Sequence, residues 1–193
     1  MATSNMMYGS ANRWRVMATT RPLAMALVAG ILATHIATVM GYWFHGIGLK
    51  DLDFPTFNGY LLFRPEMGAA DFAVFGVPLP IRLLFGWTAH LFTGVVWAMI
   101  YAIVVQPMLK WKSNMAKALA WGAVLALISG LWWVPVLFDE FDLGFAAWNF
   151  DTWKGIVAIF LWHGIWAVNL ALFYNPLSDE DIATLNAQSS SAF

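Results

Sequence analysis

Cysteine is absent from the 193 residues of this chain. That excludes disulfides, thiolate metal sites, iron–sulfur clusters and covalently attached haem c, and it leaves the redox compartment open. Charge is scarce too. Charged residues make up 11% of the chain, where a soluble domain carries about 25%. Ten basic residues face eleven acidic ones, for a net charge of −1, so no basic excess exists to hold nucleic acid. The marks of common chemistries are missing as well: no phosphate loop, no Ser-His-Asp arrangement and no paired catalytic carboxylates.

What is abundant is apolar. Hydrophobic residues reach 61% and the mean hydropathy is +0.66. That composition excludes a soluble globule and intrinsic disorder alike. Four stretches, 22–44, 81–106, 118–138 and 155–174, have the length of about 20 apolar residues that a bilayer requires. None contains an acid, which argues against a transporter driven by an intramembrane carboxylate. Backbone groups must be satisfied internally in lipid, so these stretches are helices. Pro22 suits a first helical turn, Pro80, Pro107 and Pro176 flank spans, and Pro135 kinks or ends the third. The expected fold is all-α, a polytopic membrane protein with a four-helix transmembrane bundle. The first run is longer than the 7–15 residues of a signal-peptide core, and it is read as a membrane helix.

Orientation follows from the basic residues. Arg13, Arg15 and Arg21 precede span one, and Lys110, Lys112 and Lys117 lie at the link between spans two and three. The opposite side holds Lys50, Arg64, Arg82 and Lys154 among eight acids. Both termini are therefore expected in the cytoplasm. Trp43, Trp111, Trp132, Trp133, Trp148 and Trp153 fall near the interfaces, as an aromatic belt does. The chain divides into a cytoplasmic segment 1–21, a membrane domain 22–176 and a polar, loose cytoplasmic tail 177–193. Within the membrane domain, the external segment 45–80 is rich in Phe, Pro and Gly. It reads as an interfacial cap over the helices, with a lid over a site as the sharper alternative. The acids Asp139, Glu140 and Asp142 read as a solvated loop, or as a weak site for a hard cation.

Three histidines share one depth. His35 lies nine residues in from Phe44, His90 nine in from Ile81, and His163 eight in from Gly155. At ~1.5 Å per residue they are about 12–14 Å below the external edge. Ionisable residues inside spans normally face the bundle interior. Gly86, His90, Gly94 and Ala98 recur every four residues, a ridge that lets helix backbones approach closely. Ala167 and Ala171 share a face with His163. Tyr101 and Tyr174 each follow a histidine by 11 residues, which returns them to the same helix face and suggests a two-plus-two internal repeat. Neutral imidazole ligates haem iron or copper, or relays protons. His90 with His163 would make a bis-histidine haem b site. His35, His90 and His163 together would make a copper or zinc site. The plainer reading is three buried histidines hydrogen-bonded to carbonyls, Thr88, Thr93 or Asn169. His90 has the best case for facing inward and His35, among bulky apolar neighbours, the weakest.

The stretch from Gly86 through Tyr101, the short basic link, the Pro135 region and Trp162-His163-Gly164 resemble the YagU-type bacterial inner-membrane proteins over roughly the C-terminal two thirds of the chain. That pattern has a histidine followed by a tyrosine 11 residues on in the second long span, here His90 and Tyr101, and a histidine in the last span, here His163. His35 has no counterpart in it. The resemblance implies a small polytopic protein of the bacterial inner membrane, loosely linked to acid tolerance, and supplies no reaction. The expectation is a non-catalytic membrane protein acting with other membrane subunits or with itself, as an accessory or assembly subunit or a small membrane factor. The alternative is a redox subunit carrying haem b or a metal.

Overall fold

The computed structural model describes residues 10–62, 71–74, 77–137, 144 and 148–190. Four helices are long and apolar enough to cross a membrane: Pro22–Gly41, Leu83–Met108, Asn114–Leu137 and Asp151–Phe173. They form the expected all-α bundle of a multi-pass membrane protein. The β structure among the described residues is one antiparallel ribbon, Asp71–Val74 against Val77–Pro80. The cluster Asp139, Glu140 and Asp142 lies outside the described residues, as do Arg64 and Glu66.

Span one is the hub. Its buried residues are Met25, Ala26, Ala29, Gly30, Ala33, Thr34, Ala37, Thr38 and Gly41, a stripe of mostly small side chains. Lipid is as apolar as a leucine, so helices in a membrane associate through close packing and hydrogen bonds rather than by escaping water. The stripe lets spans two and four both pack against span one, while span four also packs on span three. The ridge on span two fits into this stripe. A Cβ on Gly94 would overlap the side chain of Thr34, and a Cβ on Gly30 would come within 2.9 Å of the Ala98 methyl. Further along the ridge, a Cβ on Gly86 would strike the Pro55 carbonyl. Gly122 gives span three the same closeness to span four, where a Cβ would be 2.7 Å from that of Ala167 and 2.8 Å from the His163 carbonyl.

Helix pairs one–two and three–four pack side by side. One seam is looser than the rest. Spans one and four pack closely, whereas the close packing of spans two and three is confined to the half nearer the terminal segments. There the Trp121 indole donates to the Trp97 carbonyl at 3.3 Å, with the two rings 5.9 Å apart. The chain widens into π-helix at Tyr101–Val105 in span two and at Ser129–Leu137 in span three, the latter enclosing Pro135. Pro135 therefore neither ends the third span nor lies outside it. It lacks the N–H that a regular ladder would use.

At the end away from the termini, Asp53 organises the segment that follows span one. It accepts from Tyr42 Oη at 3.0 Å, from the Thr56 N–H at 3.1 Å and from Thr56 Oγ1 at 2.5 Å. A carboxylate taking the first free N–H of a turn is how a helix is started, and the helix Phe54–Leu62 begins here. Burial and the neighbouring Asp53 carboxylate push the Tyr42 hydroxyl above its ordinary pKa, so it stays a donor. The short helix lies along span two, with Leu52, Phe54 and Asn58 buried. The described part of segment 45–80 is thus a cap that inserts side chains into the bundle. Trp43, Trp111, Trp132, Trp148 and Trp153 are exposed, as belt residues should be. Trp133 departs from that expectation and lines an internal cavity.

At the other end the segments before span one and after span four meet. The chain before span one is a helix, Ser10–Thr20, and the tail expected to be loose is a second helix, Asp179–Ser190. Ser178 and Asp181 cap the tail helix reciprocally: the Asp181 N–H donates to Ser178 Oγ at 3.1 Å and the Ser178 N–H to Asp181 Oδ2 at 2.8 Å. Arg15 donates to the same carboxylate at 2.6 Å, and Trp14 Nε1 to the Phe173 carbonyl at 2.6 Å. The hydrogen bonds from Ser178, then the Arg15 guanidinium, pull the Asp181 carboxyl down to about 2. Composition marked 177–193 as polar; it did not reveal that this cap and these ties order its first part.

Substituting Gly94→Leu should force spans one and two apart at Thr34 and lower stability by about 1–3 kcal/mol, the usual cost of overpacking. Denaturation in mixed micelles measures it, and an unchanged midpoint would show that the contact is slack.

Candidate functional site

The three histidines separate into different roles. His35 is exposed on the outer surface of span one, 5.6 Å from the Trp87 ring. The 100° turn per residue that puts Thr34 and Thr38 inside turns His35 out. Among the described residues no group of three His, Asp or Glu side chains could hold a metal ion. The site of His35, His90 and His163 is therefore corrected: equal depth did not mean a shared face. His90 and His163 are both buried and line one cavity.

His90 is held from two sides. Its Nε2 is 2.8 Å from Thr38 Oγ1, and its Nδ1 is 3.2 Å from Asn58 Nδ2. The tautomer follows from the neighbours. Thr38 Oγ1 donates its proton to the Thr34 carbonyl at 2.7 Å, so it accepts from His90 Nε2–H. An amide nitrogen only donates, so Asn58 supplies the proton to Nδ1. The chain Asn58 to His90 to Thr38 to the Thr34 carbonyl runs in one direction with each member satisfied. Thr34 also accepts from Trp166 Nε1 at 2.9 Å, which draws in span four.

His163 differs. Its Nδ1 is 2.8 Å from the Ile159 carbonyl, four residues back on its own helix, so Nδ1 carries the proton. Nε2 is then a bare acceptor, and it has no hydrogen-bond partner among the described residues. Ser129, buried on span three, likewise makes no side-chain hydrogen bond there and lines the same cavity. Phe54 stands among the imidazoles: its ring centroid is 5.8 Å from His90, 6.5 Å from His163 and 5.0 Å from Trp162.

The cavity has a volume of about 70 Å³. That admits a few water-sized groups and falls far short of a porphyrin. His90 also has no nitrogen free for iron. The donor set does not fit bis-histidine haem b, and with His35 outside it does not fit a three-histidine copper or zinc centre. Of the expected partners, a carbonyl, that of Ile159, serves His163, and the three side chains serve neither buried histidine. Thr88, Thr93 and Asn169 bond to the carbonyls of Leu84, Ala89 and Ile165 on their own helices. Asn58, Thr34, Ser129 and Trp166 escaped the sequence reading. The recurrence of Ala29, Gly30, Ala33, Thr34, Ala37 and Thr38 was the available signal for Thr34; nothing local marks Asn58.

The two tyrosines of the repeat do meet. Their ring centroids are 6.1 Å apart, and Tyr101 Oη donates to Asn114 Oδ1 at 2.8 Å while Asn114 Nδ2 donates to the Tyr174 carbonyl at 2.8 Å. This closed polar cluster ties spans two, three and four at the end bearing the termini. No protein-family model, curated protein or solved structure matches the chain.

Two outcomes test the site. Thr38→Val keeps the shape but strands the His90 Nε2–H, and should cost about 1–3 kcal/mol, with Thr38→Ser recovering most of it; equal stability of all three proteins would refute the relay. Purified protein should show no Soret or α band in a reduced-minus-oxidised spectrum.

Proposed function

We propose that this chain is a non-catalytic protein of the bacterial inner membrane, an accessory or assembly subunit whose work is to hold a rigid four-helix scaffold beside other membrane subunits or copies of itself. One observation carries the reading: two clusters of interior polar groups are tied up in hydrogen bonds that join helices. The Asn58–His90–Thr38–Thr34 relay and the Tyr101–Asn114–Tyr174 cluster join helices, and each uses groups that a relay of protons or a nucleophile would need free. Large apolar side chains such as Leu23, Leu27, Phe85, Phe92 and Leu172 point outward, toward lipid or partner helices. The resemblance to the YagU-type proteins supports the same placement. So does the charge distribution, since Arg13, Arg15, Arg21, Lys110, Lys112 and Lys117 belong to the end where the segments before span one and after span four meet, which we assign to the cytoplasm.

Isolation of the tagged full chain from native membranes in a mild detergent should bring down a stoichiometric integral membrane partner or a self-oligomer. A lone monomer under conditions that preserve other membrane complexes would overturn the reading. Reporter fusions after Pro107 and after Pro176 should both read cytoplasmic; a periplasmic signal at either position would reverse the topology.

A further inference from the structure

The cavity between the histidines is closed on three sides. Span one contributes Thr34, the cap helix Phe54 and Asn58, and span four Trp162, His163 and Trp166, all buried. The half-exposed lining residues are Thr93 and Trp97 on span two and Ile128 and Trp133 on span three. These flank the seam where close packing is confined to the half nearer the terminal segments. Among the described residues the mouth therefore opens sideways, between spans two and three.

Two buried polar groups wait inside. His163 Nε2 is an acceptor by virtue of the proton fixed on Nδ1 by the Ile159 carbonyl. The ring is 8% exposed, and Nε2 has no partner among the described residues. Ser129 Oγ, on the facing span, is a second unpaired group and both donates and accepts. The rest of the lining is largely aromatic and apolar. Unpaired polar atoms in an apolar membrane cavity are costly, and a hydroxyl group satisfies this pair: its O–H donates to Nε2 and its oxygen accepts from Ser129.

We propose that this lateral cavity binds the hydroxyl head of a membrane-dissolved amphiphile, an alcohol or phenol, with its apolar tail lying in the seam between spans two and three. The volume of about 70 Å³ accommodates the head group and its first few atoms. The remainder lies outside in lipid, which selects a slender molecule. A carboxylate or phosphate head is disfavoured, because Nε2 offers a lone pair rather than a proton and no cationic side chain lines the cavity among the described residues.

The test uses the full chain in lipid nanodiscs and follows tryptophan fluorescence, since Trp97, Trp133, Trp162 and Trp166 line the cavity. Four probes are titrated: 4-nonylphenol, 1-decanol and the methyl ether of each. Each ether keeps the oxygen and the tail and lacks the donor. At least one hydroxyl probe should bind saturably, about one per chain, and at least tenfold more tightly than its ether. The better hydroxyl probe tells an aromatic from an aliphatic source. His163→Phe should abolish the difference between hydroxyl and ether forms. Equal affinity of each pair, or a signal that never saturates, means simple partitioning into lipid and overturns the proposal. So does the absence of any signal, which would leave trapped water as the occupant. The ether comparison on the unmodified chain decides the matter even where His163→Phe fails to fold.

Discussion

Thr34 is the point where three helices are fastened. It is fully buried beneath Gly94 of span two, whose missing side chain makes the approach possible. Its hydroxyl takes the Trp166 indole proton from span four, and its carbonyl takes the Thr38 proton, which orients Thr38 to hold His90. Steric fit and hydrogen bonding thus depend on the same residue. Enlarging Gly94 would displace the hydroxyl that Trp166 needs, and losing Trp166 would leave a polar atom unpaired beside the seat of Gly94. In water such a junction would be reinforced by a hydrophobic core. In lipid the alternative to each contact is another apolar contact, so specificity rests on closeness and on polar groups with nowhere else to go.

This constraint explains what could be read from residues alone. Span existence followed from length and hydropathy. The ridge on span two followed from the four-residue recurrence of Gly86, His90, Gly94 and Ala98, because small residues matter in lipid only where something comes close. Rotation was harder. The interior of a membrane bundle is no more apolar than its exterior, so hydropathy does not say which way a helix faces. His35 illustrates the failure: its depth matched that of two interior histidines, yet the small-residue stripe of its own helix occupies the opposite face. Read for size rather than hydropathy, positions 26, 29, 30, 33 and 37 point away from it.

The partner of His90 could not be found by any local rule. Asn58 lies 32 residues upstream on a short helix that starts because Asp53 caps it, and it reaches the bundle because Gly86 lets the Pro55 backbone lie against span two. A tertiary contact of this kind is specified by several small permissions, none of which is distinctive by itself. The order in the tail after Pro176 is similar in kind. Ser178 and Asp181 have the spacing of a reciprocal cap, but the helix they start is anchored by Arg15 from the opposite end of the chain.

The difference between the two buried histidines follows from their neighbours. His90 faces span one, where the threonines supply an acceptor, and the cap helix, where Asn58 supplies a donor; both its nitrogens are used and its tautomer is fixed. His163 turns one nitrogen back to its own helix and leaves the other without a partner among the described residues. Spans one and four meet along small residues, while Trp97 and Trp121 fill the corresponding crossing of spans two and three near the termini. Large rings stand at that crossing, with a π-helical stretch beyond it on span three. A bundle built from two closely packed seams would have been solid. With tryptophans at one of them, this bundle keeps a cavity that His163 lines.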